Sequence, residues 1–573
     1  MKYKGNPVSK GLAVGEVFLY RPFSPDTTEA LIRENDADNE LARYEAGKTA
    51  AGGELEKLIA NLNEHAPDKA KIFQAHLDIL NDVAVHGDIK KAVRKDQASA
   101  DWAVYKVYTR YMDMLLAVKD ELVRERAADM QDVRNRLLRN LKGLPEVNLA
   151  NLGRPVIVAA QDLFPSDTAS LDRDNVLGII TEVGGTTSHT AIIARSYGLP
   201  ALLGVKGAMD FLRDGETVIV DAVDGALITS PGQEELAQAR NRAEEYRRKA
   251  RETALYIDKE PVLADGGRIK VKLNIGGDGQ EELAGARYSD GVGLFRTEFV
   301  YMRGRELPSE EEQYKIYRKV LMEFGDKPVI LRTLDIGGDK QCACLDLPRE
   351  ENPFLGKRAL RLCFDLPEVF HTQLRAALRA GVHGNLWIMF PMVAGMDDLR
   401  RARKMLDNAA AELAAQGLDY AQNCKVGIMI EIPSMALMAD VVAREVDFAS
   451  IGTNDLCQYA LAVDRTNQAV CEYFQMYHPG VLRLIRFTAE AFKAAGKPLS
   501  VCGEMGGDPL ALPLLIGFGI NEVSMGLSAV APSKKIISAL SRSRAGELAA
   551  RACSLSTSAE VESYLRAELA EYL

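Results

Sequence analysis

The chain lacks an apolar segment that could cross a membrane or direct secretion. Its first residues, MKYKGNPVSKG, have no apolar core of the kind found in signal peptides. The most apolar stretch, residues 509–520, is too short to span a bilayer and contains prolines. Basic residues are also in the minority, and the net charge of -10 argues against binding to nucleic-acid phosphates. We therefore expect a cytoplasmic protein that neither inserts into membranes nor binds nucleic acid.

Cysteine is sparse, with eight residues among 573 and no C-x-x-C pair. This usage is typical of a protein from a reducing compartment. Cys342 and Cys344 form a C-x-C pair, which in principle can bind soft metals or sense oxidants. Since unpaired cysteine usually behaves as a small hydrophobic residue, we expect two apolar loop residues here.

Strand-like runs are scarce between residues 27 and 145, where apolar residues recur at helical spacing, as in Phe73, His76, Leu77 and Leu80. This pattern predicts an all-helical bundle. On either side, residues 1–26 and 146–232 are predicted to form one small α/β domain into which the bundle is inserted. Its strands are expected in the runs at 11–20, 155–160, 175–182, 200–205, 217–222 and 225–230.

Residues 233–259 contain neither glycine nor proline and are rich in Glu, Arg and Ala. Such a composition predicts a long solvated linker helix. A helix of this kind can join two domains that move relative to each other, or it can pack against one neighbour, and the sequence leaves both possibilities open.

Residues 260–573 contain a regular succession of short apolar runs separated by helical patterns. The runs lie at 269–275, 291–298, 328–336, 385–393, 425–433, 448–455, 498–505 and 520–527. Eight strand–helix units over about 300 residues are typical of a (β/α)₈ TIM barrel. The fold class predicted for the whole chain is therefore multidomain α/β.

Active sites of such barrels lie at the carboxyl ends of the strands. The residues found at or just after these ends are Arg296, Arg332, Glu431, Asn454, Asp455, Arg465 and Cys502. Arginine offers a fork of donors that matches phosphate and carboxylate oxygens. Two carboxylates suit Mg²⁺, which completes its coordination with water and substrate oxygens. Each residue alone is weak evidence, but the set indicates a small phosphorylated carboxylic acid as the ligand.

A second candidate centre is GGTTSHTAIIARS at residues 184–196. Two glycines permit a tight turn after a strand, and Thr186, Thr187 and Ser188 are capping residue types. His189 is therefore expected at a helix N-terminus, where backbone N–H groups favour an anion. A neutral imidazole there could act as a nucleophile, although a histidine without a chemical role at a helix cap fits the local sequence equally well.

These stretches resemble the motifs of the phosphoenolpyruvate-utilising enzymes. The resemblance rests on GGTTSHTAIIAR and on the barrel stretches DGVGLFRTEF, LRTLDIGGDK, ENPFLGKRALR, IEIPSMALMAD, GTNDLCQYALAVDR and VCGEMGGDP. Within the family, the domain order and length are similar to the enzyme I group of the bacterial phosphoenolpyruvate–sugar phosphotransferase system. The match runs from about residue 3 to about residue 570.

The resemblance implies a function and a set of roles. It implies that phosphoenolpyruvate phosphorylates His189 and that the phosphoryl group then passes to the histidine phosphocarrier protein HPr, with release of pyruvate. Cys502 would protonate the enolate carbon, while Glu431 and Asp455 would hold Mg²⁺. Phosphoenolpyruvate would be bound by Arg296, Arg332, Asn454, Asp455 and Arg465. The family also implies a homodimer formed through the barrel.

The helical insert would dock HPr, and KIFQAHLDILND (71–82) resembles part of that docking face, although its apolar stripe could equally be bundle core. An ATP-dependent dikinase is an alternative, but the insert is short, helical and lacks G-x-x-x-x-G-K-[ST]. A regulatory phosphotransferase that feeds no sugar transporter is a second alternative, and an inactive barrel scaffold is a third.

Overall fold

A computed structural model describes most of the chain. The described residues are 1–21, 23, 25, 28–63, 67–116, 121–144, 149, 152–163, 167, 171–185, 189–302, 304, 306–337, 342, 344–345, 347–348, 350–467 and 469–572. The chain divides into two compact units, Met1–Lys249 and Ala250–Leu573. Within the described residues, no helix combines the length and apolar character needed to cross a bilayer.

The first unit contains one eight-stranded sheet. Its strands are β1 Lys2–Lys4, β2 Asn6–Ser9, β3 Leu12–Tyr20, β4 Val156–Ala160, β5 Val176–Thr181, β6 Ala201–Leu203, β7 Thr217–Asp221 and β8 Ala226–Thr229. The strand order is β1-β8-β7-β3-β4-β5-β6-β2. Since β3 pairs with β4 and β7, the sheet joins chain segments that lie before and after the helical insert.

The described residues of the insert form five helices, and their apolar faces pack on one another. They are α1 Ala37–Asn63, α2 Pro67–Leu80, α3 Val83–Lys95, α4 Ala100–Leu116 and α5 Glu121–Leu141. In α2, Phe73, His76 and Leu80 are buried, and His76 Nε2 lies 3.2 Å from Asp129 Oδ1. These three residues of the 71–82 stripe therefore belong to the bundle core.

The described residues of the N-terminal half contain three further helices of four residues or more: α6 His189–Tyr197, α7 Ala208–Phe211 and α8 Gln233–Ala254. The described part of helix α6 starts at His189, and the predicted capping residues 186–188 lie outside the described residues. Helix α8 ends five residues before the predicted limit of the linker helix at 259 and crosses the boundary between the two units.

The second unit is a closed barrel of parallel strands. The strands are β9 Lys270–Ile275, β10 Val292–Arg296, β11 Pro328–Arg332, β12 Asn385–Phe390, β13 Lys425–Ile430, β14 Phe448–Ile451, β15 Leu499–Val501 and β16 Glu522–Met525. Each lies within one of the eight predicted runs, so the predicted fold class is confirmed. Inside the barrel, Lys272 Nζ donates to Glu522 Oε2 at 2.5 Å, which pairs two buried charges.

Helices surround the barrel and bury the outer faces of its strands. They are α9 Gln280–Leu283, α10 Glu298–Met302, α11 Glu310–Phe324, α12 Leu360–Asp365, α13 Pro367–Ala380, α14 Met396–Ala415, α15 Pro433–Leu437, α16 Ala439–Val442, α17 Thr453–Ala460, α18 Pro479–Ala494, α19 Ala511–Gly517, α20 Leu527–Ala539, α21 Arg542–Ser554 and α22 Ser558–Glu568. Helix α11 begins with a capping box, in which Ser309 and Glu312 exchange side-chain and backbone hydrogen bonds.

Candidate active site at the mouth of the barrel

The residues predicted at the strand ends meet in one cavity of about 570 Å³. Its lining includes Arg296, Arg332, Glu431, Asn454, Asp455, Arg465 and Cys502. They converge because all eight strands run parallel, which places their carboxyl ends at the same mouth of the barrel.

Arg332, the last residue of β11, is buried among carboxylates. Its Nη2 donates to Glu298 Oε1 at 2.6 Å, and its Nη1 lies 3.0 Å from Asp335 Oδ2. Burial alone would lower the pKa of Arg332, but the negative charges of Glu298 and Asp335 hold it above its usual value. The guanidinium is therefore a permanent and firmly oriented cation.

Arg296, at the end of β10, is less constrained. Its guanidinium lies 5.6 Å from the centre of the Phe299 ring, and within the described part of the chain it forms no ion pair. Nε of Arg296 and Nε of Arg332 are both buried without a hydrogen-bond partner among the described residues. Because buried donors without partners are costly, these two atoms indicate a site for an anionic ligand.

Glu431 and Asp455 supply carboxyl groups to the cavity. Glu431 follows β13 and is fully buried, with Oε1 accepting a hydrogen bond from the Met392 backbone N–H at 2.6 Å. Its other oxygen, Oε2, has no hydrogen-bond partner in the described residues. Burial, together with the nearby charges of Asp455 and Asp335, raises the pKa of Glu431 to about 8.

These two carboxylates fit a hard cation such as Mg²⁺. A buried carboxylate oxygen that has no hydrogen-bond partner and lies near a second acidic group is stabilised when such a cation binds. The described residues contain no cluster of three or more His, Cys, Asp or Glu side chains spaced to hold a metal unaided. Mg²⁺ commonly binds one or two carboxylates and takes its remaining ligands from water and substrate.

Backbone geometry fixes the position of the Glu431 carboxylate. A Cβ at Gly452 would lie 2.9 Å from Glu431 Oε2, so only glycine leaves this oxygen undisturbed. Met392, whose N–H holds Oε1, has a φ of 53°, an uncommon conformation for a residue with a side chain. Local strain of this sort is characteristic of functional sites.

A buried arginine links the two halves of the site, and sequence reasoning missed it. Arg358 Nη2 donates to Asp335 Oδ1 at 3.0 Å, while its Nη1 donates to Asp455 Oδ1 at 3.1 Å. Since Asp335 also pairs with Arg332, a continuous network connects Arg332 to Asp455. Arg358 lies before α12 and not at a strand end, but it is part of the recognised stretch ENPFLGKRALR.

Asn454 and Arg465 form the outer wall of the cavity. Asn454 Oδ1 accepts a hydrogen bond from the Glu504 backbone N–H at 3.0 Å, and its Nδ2 donates to Glu504 Oε1 at 3.1 Å. Arg465 Nη1 lies 3.8 Å from Asp455 Oδ1. Both side chains line the cavity, where they can meet a ligand.

Cys502 follows β15 directly and is buried at the bottom of the cavity. Its Sγ lies 3.7 Å from the Ile451 carbonyl oxygen. Burial raises the pKa of the Cys502 thiol to about 11, although the charge of Arg332 partly offsets this effect. At neutral pH, Cys502 is therefore a thiol that carries a proton.

Two other predicted features are not among the described residues that line this cavity. His189 belongs to the first unit, where the structure describes its backbone at the start of α6. Cys342 and Cys344 differ from the expectation of two separate apolar residues, because their sulphur atoms are joined in a disulfide. Their side chains still pack against the core around the barrel, since a disulfide is itself largely apolar.

Comparison with known proteins identifies the same family that the sequence motifs resemble. Three family models of the phosphoenolpyruvate-utilising enzymes match the chain. The N-terminal model matches residues 4–126, the mobile-domain model matches 152–225 and the PEP-binding-domain model matches 247–542. Similar proteins include the phosphoenolpyruvate-protein phosphotransferases of Bacillus sp. (strain S), Geobacillus stearothermophilus and Bacillus subtilis (strain 168). They are 41%, 42% and 40% identical to the chain over 98% of its length and cover 97%, 97% and 99% of their own.

Proposed function

Since this chain belongs to the phosphoenolpyruvate-utilising enzymes, we propose that it is the phosphoenolpyruvate-protein phosphotransferase that begins the sugar phosphotransferase system. It transfers the phosphoryl group of phosphoenolpyruvate to its own His189 and then to the histidine phosphocarrier protein HPr. Pyruvate is the second product.

The observation that carries this proposal is the meeting of arginines, carboxylates and a protonated thiol in one cavity. Phosphoenolpyruvate presents a phosphoryl group and a carboxylate, both of which match guanidinium donors. The Nε atoms of Arg296 and Arg332 are buried and have no hydrogen-bond partner among the described residues. A dianionic ligand could accept a hydrogen bond from each of them. Arg465 and Asn454 would complete its binding from the outer wall.

The chemical step needs little from the protein beyond position and charge. His189 Nε2 would attack phosphorus in line with the bridging oxygen, whose bond to phosphorus breaks as the new bond forms. The arginines would stabilise the negative charge that develops on the departing enolate oxygen. Cys502 would then deliver its proton to the terminal carbon of the enolate and so complete pyruvate.

Glu431 and Asp455 are the residues that would hold Mg²⁺, and the unpartnered Oε2 of Glu431 supports this assignment. A bound Mg²⁺ would neutralise charge on the phosphoryl and enolate oxygens. Asp455 would also contact the substrate, because it lines the cavity. Its carboxylate lies close to both Arg358 and Arg465.

The parts of the chain would divide the work. Residues 1–26 and 146–232 would carry the phosphohistidine, residues 27–145 would bind HPr, residues 233–259 would link the units, and residues 260–573 would bind phosphoenolpyruvate. We also propose a cytoplasmic homodimer joined through the barrel. Exposed apolar side chains on barrel helices, including Leu437, Val441 and Phe487, support a contact surface there.

Replacement of Arg296 by methionine tests the proposed substrate site. We expect kcat/KM for phosphoenolpyruvate to fall about 10- to 100-fold, because a hydrogen bond to a charged group contributes about 1.5–3 kcal/mol. Steady-state release of pyruvate with HPr as acceptor measures the effect. Arg551→Met, at an exposed position of α21, is the matched control, and equal losses in both variants would contradict the assignment.

A further inference from the structure

The disulfide between Cys342 and Cys344 lies in the connection between β11 and α12. The two Cα atoms are 5.3 Å apart, a separation that is ordinary for disulfide-bonded residues. None of the steps assigned to the catalytic cavity uses these two cysteines.

The surroundings of the pair suit both of its redox states. Cys342 is buried, and its Sγ lies 3.4 Å from the carbonyl oxygen of Tyr301 in α10. In the reduced state this thiol could donate a hydrogen bond to the same oxygen, so neither state leaves a poorly packed sulphur. Cys344 is only partly buried, which makes it the sulphur that a small oxidant reaches first.

The same region holds the residues that organise the cavity. Asp335 and Arg358, which link Arg332 to Asp455, lie on either side of the cysteines in the connection. Helix α10, whose Tyr301 carbonyl contacts Cys342, begins with Glu298, the partner of Arg332. The two cysteines therefore lie in one of the elements that anchor Arg332, and Cys342 contacts the other.

We propose that Cys342 and Cys344 form a reversible redox modification site, oxidised by peroxides, whose disulfide form strengthens phosphoenolpyruvate binding. The coupling to ligand rests on the proposed function, whereas the redox chemistry does not. The structure contains the disulfide together with the intact Arg332–Asp335–Arg358–Asp455 network. Reduction removes a covalent restraint from the connection that carries two members of this network.

The oxidation step balances with peroxide as the only co-reactant. The Cys344 thiolate attacks one oxygen of hydrogen peroxide, the O–O bond breaks, and hydroxide leaves. The Cys342 thiolate then attacks the resulting sulfenic sulphur, the S–S bond forms, and a second hydroxide leaves. Two electrons pass from the sulphurs to the peroxide, both hydroxides combine with the thiol protons, and a dithiol reverses the change.

The redox chemistry is tested by mapping thiols in the full-length protein. After treatment with peroxide or with a dithiol, free thiols are alkylated and the chain is cut with trypsin, which places both cysteines in residues 341–349. Peroxide should give this peptide without alkylation and lighter by two hydrogen atoms, and the dithiol should reverse it. Cys344→Ser should abolish the closed form, whereas Cys471→Ser, at an exposed position, should retain it. Two alkylated thiols after peroxide would overturn the proposal.

The coupling is tested by calorimetric titration of phosphoenolpyruvate into His189→Ala, which prevents turnover. We expect the disulfide form to bind at least about fivefold more tightly than the dithiol form, which is the lower range of coupling between two sites. Adding Cys344→Ser should remove this difference in affinity. That result would show that the difference does not come from oxidation of Cys502. Equal affinities would overturn the proposal, and no binding in either state would overturn the proposed function as well.

Discussion

At the scale of single residues, burial decides the protonation state of Cys502. The thiol lies at the bottom of the cavity, where the lack of solvent disfavours the thiolate, and its pKa rises to about 11. A thiol with this pKa is a poor nucleophile at neutral pH but remains a source of protons. This chemistry agrees with protonation of an enolate and not with covalent catalysis.

Replacement of Cys502 by alanine should slow pyruvate formation by about 10²–10⁴-fold, the range for loss of a positioned general acid. Because the donor is the protonated thiol, its contribution should persist as pH rises through 9 and disappear only as pH passes about 11. Rapid-quench measurement of pyruvate against pH checks both points. Cys553→Ala, at a buried position of α21, should leave the rate unchanged, and an equal loss there would contradict the assignment.

Glu431 offers a prediction about metal binding. Glutamine at this position keeps the shape of the side chain but removes the charge, so the midpoint of thermal unfolding should no longer rise when Mg²⁺ is added. The wild type should show such a rise, because a ligand that binds only the folded state stabilises it. Differential scanning calorimetry with and without Mg²⁺ checks the difference. A similar Mg²⁺-dependent shift in Glu431→Gln would contradict the proposed metal site.

At the scale of elements, the site depends on where strands end and how the following turns are shaped. Gly452 follows β14 directly and leaves no room for a Cβ beside Glu431 Oε2. The requirement comes from proximity and not from the backbone angles, since φ at Gly452 is -84°. Glycine is therefore needed at this position to keep the carboxylate in place.

Gly452→Ala should displace the Glu431 carboxylate and weaken Mg²⁺ binding by about 10–100-fold, the usual effect of disturbing the support of a metal ligand. The Mg²⁺ concentration that gives half-maximal pyruvate release measures this change. Gly395→Ala is the matched control, because a Cβ there meets no atom within 4 Å. The structural reason would be wrong if both variants required the same Mg²⁺ concentration as the wild type.

The strands of the barrel could be predicted from the sequence because each is a short, mostly apolar run, and helical patterns separate the runs. Strands β1 and β2 were not predicted, since they are only three and four residues long and lie at the two edges of the sheet. Arg358 was also missed as part of the site. It lies within a connection, and its partner Asp455 is 97 residues away, so local patterns carry no sign of the pairing.

At the scale of the whole molecule, the two chemical centres belong to different compact units. His189 lies in Met1–Lys249, whereas the described residues that line the cavity belong to Ala250–Leu573. Under the proposed function, His189 would receive the phosphoryl group at the cavity and would afterwards pass it to HPr. Helix α8, which crosses the unit boundary without glycine or proline, is the element that connects them. Hinge motions of domains occur on microsecond to millisecond timescales, fast enough for a cycle of this kind.

The most direct test follows the phosphoryl group itself. The full-length protein and His189→Ala are incubated with Mg²⁺ and phosphoenolpyruvate labelled in its phosphoryl group, without ATP, and the label retained on protein is measured. We predict acid-labile, alkali-stable label on the wild type alone, with stoichiometric pyruvate and transfer of the label to added HPr. Absence of label from the wild type, equal labelling of His189→Ala, or labelling that depends on ATP would contradict the central claim.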